Sequence, residues 1–262
     1  MQNIQNLTAL VTGASGGLGA DFARELAARG ANLVLVARRE AELRALASEI
    51  EAQYRISAMV IPLDLAAPGA AQMLYDRMRA EHVAVDILVN NAGFGIYGLF
   101  HEVPWEQEQA LLDLDILVVA HLTKLFLNDM LARSQGYILQ VASIGAYQPS
   151  PTYASYSAAK AYVLNLGEAL NYELRASGVG VTVVSPGVTA TEFLKVAGQS
   201  PSLYQRMAMM KSRDVARIGI EAMLRRVPSV VPGFFNALTV FATRLMPRRM
   251  QAAGAYLLMT KR

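Results

Sequence analysis

The chain alternates short runs of β-branched and aliphatic residues with longer segments whose apolar positions recur every three or four residues. Leu18, Phe22 and Leu26 stand at positions i, i+4 and i+8, which predicts a helix that ends at Gly30. Two long helices are predicted at 106–133 and 155–176. The predicted strands are 7–11, 32–36, 58–63, 87–89, 137–141 and 181–184, with a seventh at 229–231.

The predicted strands are apolar on both faces, as in a parallel sheet that helices cover on each side. Strands that alternate with helices indicate an α/β fold with a doubly wound, Rossmann-like parallel sheet of about seven strands. No linker or repeat interrupts the chain, so we expect a single domain over 1–262. Residues 192–212 are long for a connection, and we interpret them as a substrate lid. Residues 233–262 are expected to form a C-terminal helical extension.

Composition excludes several classes of function. Hydrophobic residues make up 53% of the chain and charged residues 17%, so a large core is expected. There is no cysteine, which excludes disulfides and thiolate chemistry, and the three histidines are scattered, so no metal site is expected. A net charge of +3 without a dense basic run argues against nucleic-acid binding. The N-terminus does not have the pattern of a signal peptide, and no clean apolar run of about 18 residues occurs, so we expect a cytoplasmic protein.

A glycine-rich turn, TGASGGLG at 12–19, follows the first predicted strand and opens the first helix. Gly13 permits a tight turn, and Gly19 lets the helix pack closely on the sheet. Gly16 or Gly17 lets the backbone approach a pyrophosphate, which then faces the free N–H groups of the helix N-terminus. We therefore predict a dinucleotide cofactor here. Its predicted contacts in the turn are Gly13, Ser15, Gly16, Gly17, Leu18 and Gly19.

Each of the first six predicted strands is followed by glycine or polar residues. In order these are the glycine turn, Arg38 with Arg39, Asp64, NNAG at 90–93, Ser143, and PGVTAT at 186–191. Loops are polar in most proteins. However, the carboxyl ends of parallel strands share one edge, so six such ends together indicate a continuous cofactor groove.

The residues after the second strand bear on the choice of cofactor. Arg38 lies 19 residues after Gly19, near the point where NAD-specific sites have an acidic residue for the ribose hydroxyls. A guanidinium there suits a 2′-phosphate, so we predict NADP(H) in preference to NAD(H). In the alternative interpretation Arg38 and Arg39 are solvated, or Glu40 binds the ribose, although Glu40 is more typical of a helix start.

Tyr156 and Lys160 stand four residues apart in YASYSAAK, on one helix face and about 6 Å apart along the axis. A lysine ammonium beside a tyrosine hydroxyl favours the phenolate and lowers a pKa that is normally near 10. Such a tyrosine exchanges protons with an alcohol or ketone near neutral pH. Ser143 lies 13 residues upstream of Tyr156. The alternative for Tyr156 is a plain helical tyrosine, which is how we interpret the neighbouring Tyr153.

Taken together, TGASGGLG, NNAG, the Ser143/Tyr156/Lys160 set and PGVTAT resemble the short-chain dehydrogenase/reductase family, firmly over 5–195 and loosely to Val231. The glycine spacing also fits longer epimerase-type relatives, but the short chain and PGVTAT favour the reductases. The resemblance implies an oxidoreductase that interconverts a ketone or aldehyde and an alcohol. It implies that Tyr156 is the general acid/base, that Lys160 lowers its pKa and holds the nicotinamide ribose, and that Ser143 polarises the substrate oxygen. The other implied cofactor contacts are Asp64, Leu65, Asn91, Thr189 and Thr191.

One position departs from the family pattern. The family usually has an asparagine on the long helix at 106–133, and its backbone carbonyl holds a water of the proton relay. Asp115 stands at that relay position here. A backbone carbonyl does not depend on the side chain, but a carboxylate near Lys160 works against the tyrosinate. We therefore expect a functional enzyme with a raised Tyr156 pKa and an oxidation rate shifted to alkaline pH.

Apolar side chains flank the predicted site and predict a small apolar ketone or aldehyde as substrate. Candidate classes are 3-oxoacyl thioesters, steroid-like ketones and small aromatic ketones. The flanking residues are Phe94, Ile96, Tyr97, Leu99, Phe100, Tyr147, Pro149, Pro151, Phe193, Leu194, Met207, Met209 and Met210. In the alternative interpretation many of them are core residues. A non-catalytic NADP(H)-binding sensor or scaffold is the competing function, but such proteins typically lose the tyrosine or the lysine.

The apolar stretch at 234–241 is followed by Arg244, Arg248 and Arg249. We favour a helix that packs over the substrate pocket or at a subunit interface; the alternative is a segment that lies on an acidic membrane surface. The family resemblance implies a homodimer or homotetramer formed through the two long helices.

Overall fold

The computed structural model describes residues 3–200, 202, 206 and 208–260. At its centre lies a sheet of seven parallel strands in the spatial order β3-β2-β1-β4-β5-β6-β7. The strands are β1 (Thr8–Thr12), β2 (Asn32–Ala37), β3 (Ala58–Pro62), β4 (Ile87–Asn90), β5 (Gly136–Val141), β6 (Val179–Val184) and β7 (Ser229–Val230). The predicted doubly wound α/β sheet is therefore confirmed, and the bounds of its strands differ from the predicted ones by at most two residues.

Helices cover both faces of the sheet. They are α1 (Gly17–Ala27), α2 (Glu40–Tyr54), α3 (Ala70–Ala80), α4 (Trp105–Leu112), α5 (Val119–Ala132), α6 (Ala154–Glu173), α7 (Phe193–Val196), α8 (Ser212–Leu224), α9 (Phe234–Thr243) and α10 (Arg248–Thr260), with a 3-10 turn at Ile144–Tyr147. Phe22 of α1 and Ile220 of α8 belong to the core on one face, whereas Leu74 of α3 and Phe126 of α5 belong to the core on the other.

The central strand shows why the strands of this protein are mostly apolar. Consecutive side chains of a strand point to opposite faces of the sheet. Ala9 and Val11 of β1 lie in the core beneath α1, whereas Leu10 lies in the core on the opposite face. Both sets are fully buried, which favours apolar residues on both faces of the strand.

The strand order reverses direction between β1 and β4. β1 pairs with β2 on one side and with β4 on the other, so the chain winds outward from this point in both directions. A crevice forms outside the carboxyl ends of the strands at such a reversal. The turn after β1 and the NNAG segment after β4 meet there: the backbone N–H groups of Asn91 and Ala92 both donate to the Thr12 hydroxyl, at 2.9 and 3.0 Å.

The predicted long helix at 106–133 contains an irregularity that its sequence pattern does not indicate. α4 and α5 are joined by a π-helical segment, Asp113–Val118, so the helical stretch runs continuously from Trp105 to Ala132. A π turn widens the helix by one residue and is frequent at functional sites. Asp115 lies in this segment and is fully buried.

The described part of the predicted lid is held at both ends. The N–H of Ala190 donates to the carbonyl of Met210 at 2.9 Å, and the N–H of Met210 donates to the carbonyl of Val188 at 3.0 Å. Residues 201, 203–205 and 207, and with them the predicted lid residue Met207, lie outside the described residues, so the lid stays a prediction. Within the described ranges, no helix combines the length and apolarity needed to cross a bilayer.

Candidate active site

The glycine turn between β1 and α1 has no room for side chains at two positions. Gly13 has φ +67°, a left-handed conformation, and a Cβ there would lie 2.9 Å from the Cα of Ala92. A Cβ on Gly19 would lie 2.2 Å from the carbonyl oxygen of Gly13. Glycine therefore allows the turn to fold onto the NNAG segment and α1 to pack against its own entry loop. The N-terminal N–H groups of α1 face the crevice as a result.

Ser143, Tyr156 and Lys160 come together at the carboxyl end of β5. Ser143 follows that strand, and its Oγ accepts the N–H of Gly145 at 3.1 Å. Tyr156 and Lys160 lie on α6, which packs against β5 and β6. The ammonium Nζ of Lys160 donates to the carbonyl of Val141, the last residue of β5, at 3.2 Å and lies 5.7 Å from the centre of the Tyr156 ring. The structure therefore brings the three predicted residues to one point.

Asp115 contacts this group from the π segment. Its Oδ2 lies 3.0 Å from Lys160 Nζ, with side-chain exposures of 0% and 6%. Its Oδ1 accepts the N–H of Phe94 at 3.2 Å. A Cβ on Gly93 would come within 2.8 Å of Asp115 Oδ1, so the glycine of NNAG permits this close approach. Burial raises the pKa of the Asp115 carboxyl, and Lys160 and the Phe94 N–H act in the opposite direction.

The pKa of Tyr156 is raised above its ordinary value. Burial is the largest cause, the Asp115 carboxylate adds to it, and a hydrogen bond with Ser143 acts in the opposite direction. The expected lowering of this pKa by Lys160 stays a prediction, and the ammonium also has a carboxylate 3.0 Å away. The direction agrees with the expectation based on Asp115.

A cavity of about 320 Å³ runs along this edge of the sheet. It joins the glycine turn to the Ser143/Tyr156/Lys160 group, so the predicted cofactor and catalytic positions share one space. The predicted site residues in its wall are Gly13, Gly16, Gly17, Leu18, Gly19, Asn91, Ser143, Tyr156, Lys160, Thr189 and Thr191. Ser15, Arg38, Asp64 and Leu65 are not among the residues that line it.

The arginine that lines the cavity is Arg39, whereas the predicted cofactor contact was Arg38, which stays a prediction. Arg39 lines the cavity, and its guanidinium donates to Ser15 Oγ at 3.2 Å and to the Ser15 carbonyl at 3.0 Å. Arg38 is exposed to solvent. The backbone is extended at Arg39, so neighbouring side chains point in opposite directions and only one of the two arginines faces the glycine turn.

Of the other implied cofactor contacts, Asp64 and Leu65 do not line the cavity, and their contact with a cofactor stays a prediction. Asp64 is exposed, and its Oδ1 accepts the N–H of Ala66 at 3.1 Å, whereas Leu65 is buried in the core between sheet and helices. Asn91 does line the cavity, but its side-chain Nδ2 donates to the Thr12 carbonyl at 2.9 Å. Its amide therefore holds the glycine turn against the end of β4.

The segment that follows β6 folds over the glycine turn. A Cβ on Gly17 would lie 3.2 Å from the side chain of Thr191, whose Oγ1 accepts the N–H of Phe193 at 3.3 Å. Glu192 lies 3.6 Å from the guanidinium of Arg39, on the opposite side of the groove. Thr189 and Thr191 are thus positioned at the cavity as predicted, and the two rims meet in an exposed ion pair.

Two aromatic side chains enclose Tyr156. The ring of Phe193 lies 5.3 Å from the Tyr156 ring, and that of Tyr153 lies 5.9 Å from it. Our interpretation of Tyr153 as a plain helical residue was wrong, because it is buried and lines the cavity. The signal was present in the sequence: Tyr153 precedes Tyr156 by three residues, which places both on one side of the helix start.

The C-terminal helix also contributes to the cavity. The Tyr153 hydroxyl donates to Gln199 Oε1 at 2.7 Å, and Gln199 Nε2 donates to the carbonyl of Met259 at 3.0 Å. Met259, in α10, lines the cavity. No local pattern marks these residues, which are far apart along the chain and meet only in the folded protein.

Comparisons with known proteins match this fold. The family model for short chain dehydrogenases matches residues 7–201. A very-long-chain 3-oxoacyl-CoA reductase from Anas platyrhynchos is 35% identical over 212 residues, which cover 77% of this chain and 67% of that protein. The chain spans only 56% of the length of a Phaeosphaeria nodorum protein of the same name, at 34% identity over 72% of this chain.

Other matches cover more of the relative. A 7beta-hydroxysteroid dehydrogenase from Collinsella aerofaciens is 30% identical over 71% of this chain and 70% of that protein. A solved short-chain dehydrogenase from Sphingobium yanoikuyae, in complex with NADPH, superposes with a TM-score of 0.81 at 30% identity, over 92% of this chain and 94% of that one.

Proposed function

The chain belongs to the short chain dehydrogenase family, and from that premise we propose that it is an NADP(H)-dependent oxidoreductase that interconverts an apolar ketone or aldehyde and its alcohol. The observation that carries the proposal is that Ser143, Tyr156 and Lys160 line the same cavity as the glycine turn. A hydride acceptor or donor bound at the turn would therefore lie beside a proton donor.

In the reducing direction a bound nicotinamide cofactor supplies a hydride to the carbonyl carbon. The Tyr156 hydroxyl donates its proton to the carbonyl oxygen, and the Ser143 hydroxyl donates a hydrogen bond to the same oxygen as negative charge develops. In the oxidising direction the Tyr156 phenolate removes the alcohol proton. A raised Tyr156 pKa keeps the proton on the hydroxyl at neutral pH, which suits reduction.

We propose that Lys160 holds the ribose of the nicotinamide. An ammonium has three protons; one is donated to the Val141 carbonyl, and the Asp115 carboxylate lies 3.0 Å from Nζ as an ion-pair partner. A further proton is available to a ribose hydroxyl in the cavity. Asp115 and Val141 therefore hold the ammonium at the cavity before the cofactor binds.

The glycine turn fits a dinucleotide, because Gly16 and Gly17 line the cavity as bare backbone at the start of α1. Arg39 supports a preference for NADP(H): a guanidinium bound to Ser15 lies at the rim where a 2′-phosphate would sit. Exposed ion pairs to Glu42 and Glu192, each 3.6 Å long, are weak enough for a phosphate to replace.

The wall opposite the glycine turn is apolar, and this supports a bulky apolar substrate. Its members are Phe94, Tyr153, Phe193, Leu194, Val196 and Met259. We propose a 3-oxoacyl thioester as substrate, in line with the names of relatives at 35% and 34% identity. A steroid-like ketone is the second candidate, because the relative at 30% identity is a hydroxysteroid dehydrogenase.

The test is a panel of 3-oxoacyl thioesters, steroid ketones and small aromatic ketones, followed by NADPH absorbance and repeated with NADH. The full chain is compared with Tyr156→Phe and with Tyr162→Phe, an exposed tyrosine of the same helix. We expect Tyr156→Phe to bind NADPH normally and to lose about 10²–10⁴-fold in turnover, while Tyr162→Phe stays active. A parent chain that binds NADPH but reduces no carbonyl would instead indicate a sensor or scaffold.

A further inference from the structure

Helix α9 presents its large apolar side chains to solvent. These are Phe234 (77% exposed), Phe235 (75%), Leu238 (51%) and Phe241 (57%). Residues 234, 238 and 241 are spaced at i, i+4 and i+7, and therefore lie on one face of the helix. The opposite face, which contacts the protein, includes the polar residues Asn236 and Thr243, both buried. The usual arrangement of a surface helix, with the apolar face inward, is reversed here.

Buried hydrogen bonds hold α9 in this orientation. Asn236 Nδ2 donates to the carbonyl of Pro232 at 2.9 Å. Gln251 of α10 donates to the carbonyls of Thr243 and Met246, at 2.7 and 2.8 Å, and so caps the end of α9. Rotating the helix to bury its phenylalanines would break these bonds and expose the core-facing Val240. The outward apolar face is therefore built into the fold.

The charged residues of the C-terminal segment itself all have one sign. Residues 222–262 contain seven Lys and Arg and no Asp or Glu, which leaves 17 of the 24 basic residues and all 21 acidic residues in 1–221. Three arginines, Arg244, Arg248 and Arg249, are exposed at the junction of α9 and α10. Among them stand the exposed apolar side chains of Leu245 (75%), Met246 (36%) and Met250 (56%).

We propose that this surface, α9 together with the α9–α10 junction, docks on a lipid bilayer that carries anionic headgroups. Aromatic and aliphatic side chains on one helix face enter the boundary between headgroups and acyl chains, while neighbouring arginines bind lipid phosphates. Because 222–262 contain no acidic residue, the segment itself does not repel an anionic surface. An exposed apolar patch beside a cluster of arginines is more favourable against an anionic lipid surface than in contact with water.

Co-sedimentation of the full chain with vesicles tests the proposal. One set of vesicles is phosphatidylcholine alone, and the other also contains phosphatidylglycerol. We expect binding to the second set, and release at high salt because salt screens the arginine–phosphate attraction. A triple variant, Arg244→Gln/Arg248→Gln/Arg249→Gln, should bind about 100-fold more weakly, at roughly fivefold per arginine. Phe234→Ser/Phe235→Ser/Phe241→Ser should also lose binding.

The matched control is Arg55→Gln/Arg77→Gln/Arg217→Gln, which removes three exposed arginines elsewhere and should bind as the parent does. NADPH turnover of a water-soluble ketone, without vesicles, should be unchanged in all variants, so docking is separable from the proposed activity. Failure of the parent to bind anionic vesicles would overturn the proposal. So would a Phe variant that converts a dimer to a monomer without changing vesicle binding, because a second copy of the chain would then cover the face.

Discussion

The ammonium of Lys160 lies 3.0 Å from Oδ2 of Asp115, and the two side chains are almost completely buried. The pair joins α6, which contributes Tyr156, to the π segment between α4 and α5. A lysine in this position would be expected to favour the Tyr156 phenolate. Here a carboxylate lies beside that ammonium, and burial and the charge of Asp115 raise the pKa of Tyr156. Asp115 therefore acts on the proton donor through its own charge.

Asp115→Asn should shift the pH dependence of alcohol oxidation. Oxidation needs the Tyr156 phenolate, whose fraction grows as the pH rises through the tyrosine pKa. Removing the carboxylate lowers that pKa, so the alkaline limb of the kcat/KM profile should move to lower pH. Asp113→Asn, on the same helical segment, should leave the profile where it is. A profile of Asp115→Asn that coincides with the parent's would refute the role of Asp115.

Lys160→Met should destabilise the fold as well as the activity. The substitution leaves the Asp115 carboxylate buried without its cation, a loss that typically costs about 3–5 kcal/mol of unfolding free energy. Adding Asp115→Asn removes the buried charge, so the double variant should recover most of this loss. Urea denaturation of the parent, both single variants and the double variant measures the coupling. A double variant as unstable as the sum of the singles would mean that the pair does not interact.

Arg39→Gln should weaken the preference for NADPH. A charge-assisted hydrogen bond to a phosphate contributes about 1.5–3 kcal/mol, so the KM for NADPH should rise by about 10- to 150-fold while that for NADH barely changes. Arg38→Gln is the matched control, because the Arg38 side chain is exposed and does not line the cavity. A loss confined to Arg38→Gln would assign the phosphate to Arg38, the residue that the sequence predicted. Equal effects of the two substitutions would mean that Arg39 has no specific role.

Tyr153→Phe should loosen the wall between the substrate space and α10. It removes the 2.7 Å hydrogen bond to Gln199, which in turn contacts the Met259 carbonyl. Loss of one such bond costs about 1 kcal/mol, so the KM for a bulky ketone should rise about fivefold with kcat little changed. Tyr162→Phe again serves as control. If kcat falls instead while KM stays constant, Tyr153 acts on the proton transfer at Tyr156 and not on the wall.

Much of this protein follows from local patterns. The alternation of apolar runs and helical periodicity predicted all seven strands, because a strand buried on both faces is mostly apolar. The glycine turn was equally readable, since a left-handed φ at Gly13 and the contact of Gly19 with the Gly13 carbonyl both require glycine. Tyr156 and Lys160 were linked by helical spacing alone, and Ser143 by the family pattern.

Other features depend on contacts between distant segments, which no local pattern encodes. The sequence predicted a carboxylate near Lys160 and a raised Tyr156 pKa, but the π turn that contains Asp115 and the 3.0 Å contact of its carboxylate with Lys160 arise from the packing of two helices. The extended backbone at Arg39 directs its side chain, and not that of Arg38, to the cavity.

The C-terminal segment shows the same division. Its amphipathic composition and its excess of arginine are plain in the sequence and left two interpretations open. Only the tertiary structure shows that α10 reaches the cavity through Met259, while α9, held by Asn236 and Gln251, turns its phenylalanines outward. Helical periodicity determines which residues share a face. Which face meets the protein is determined by the buried hydrogen bonds that form when the segments pack together.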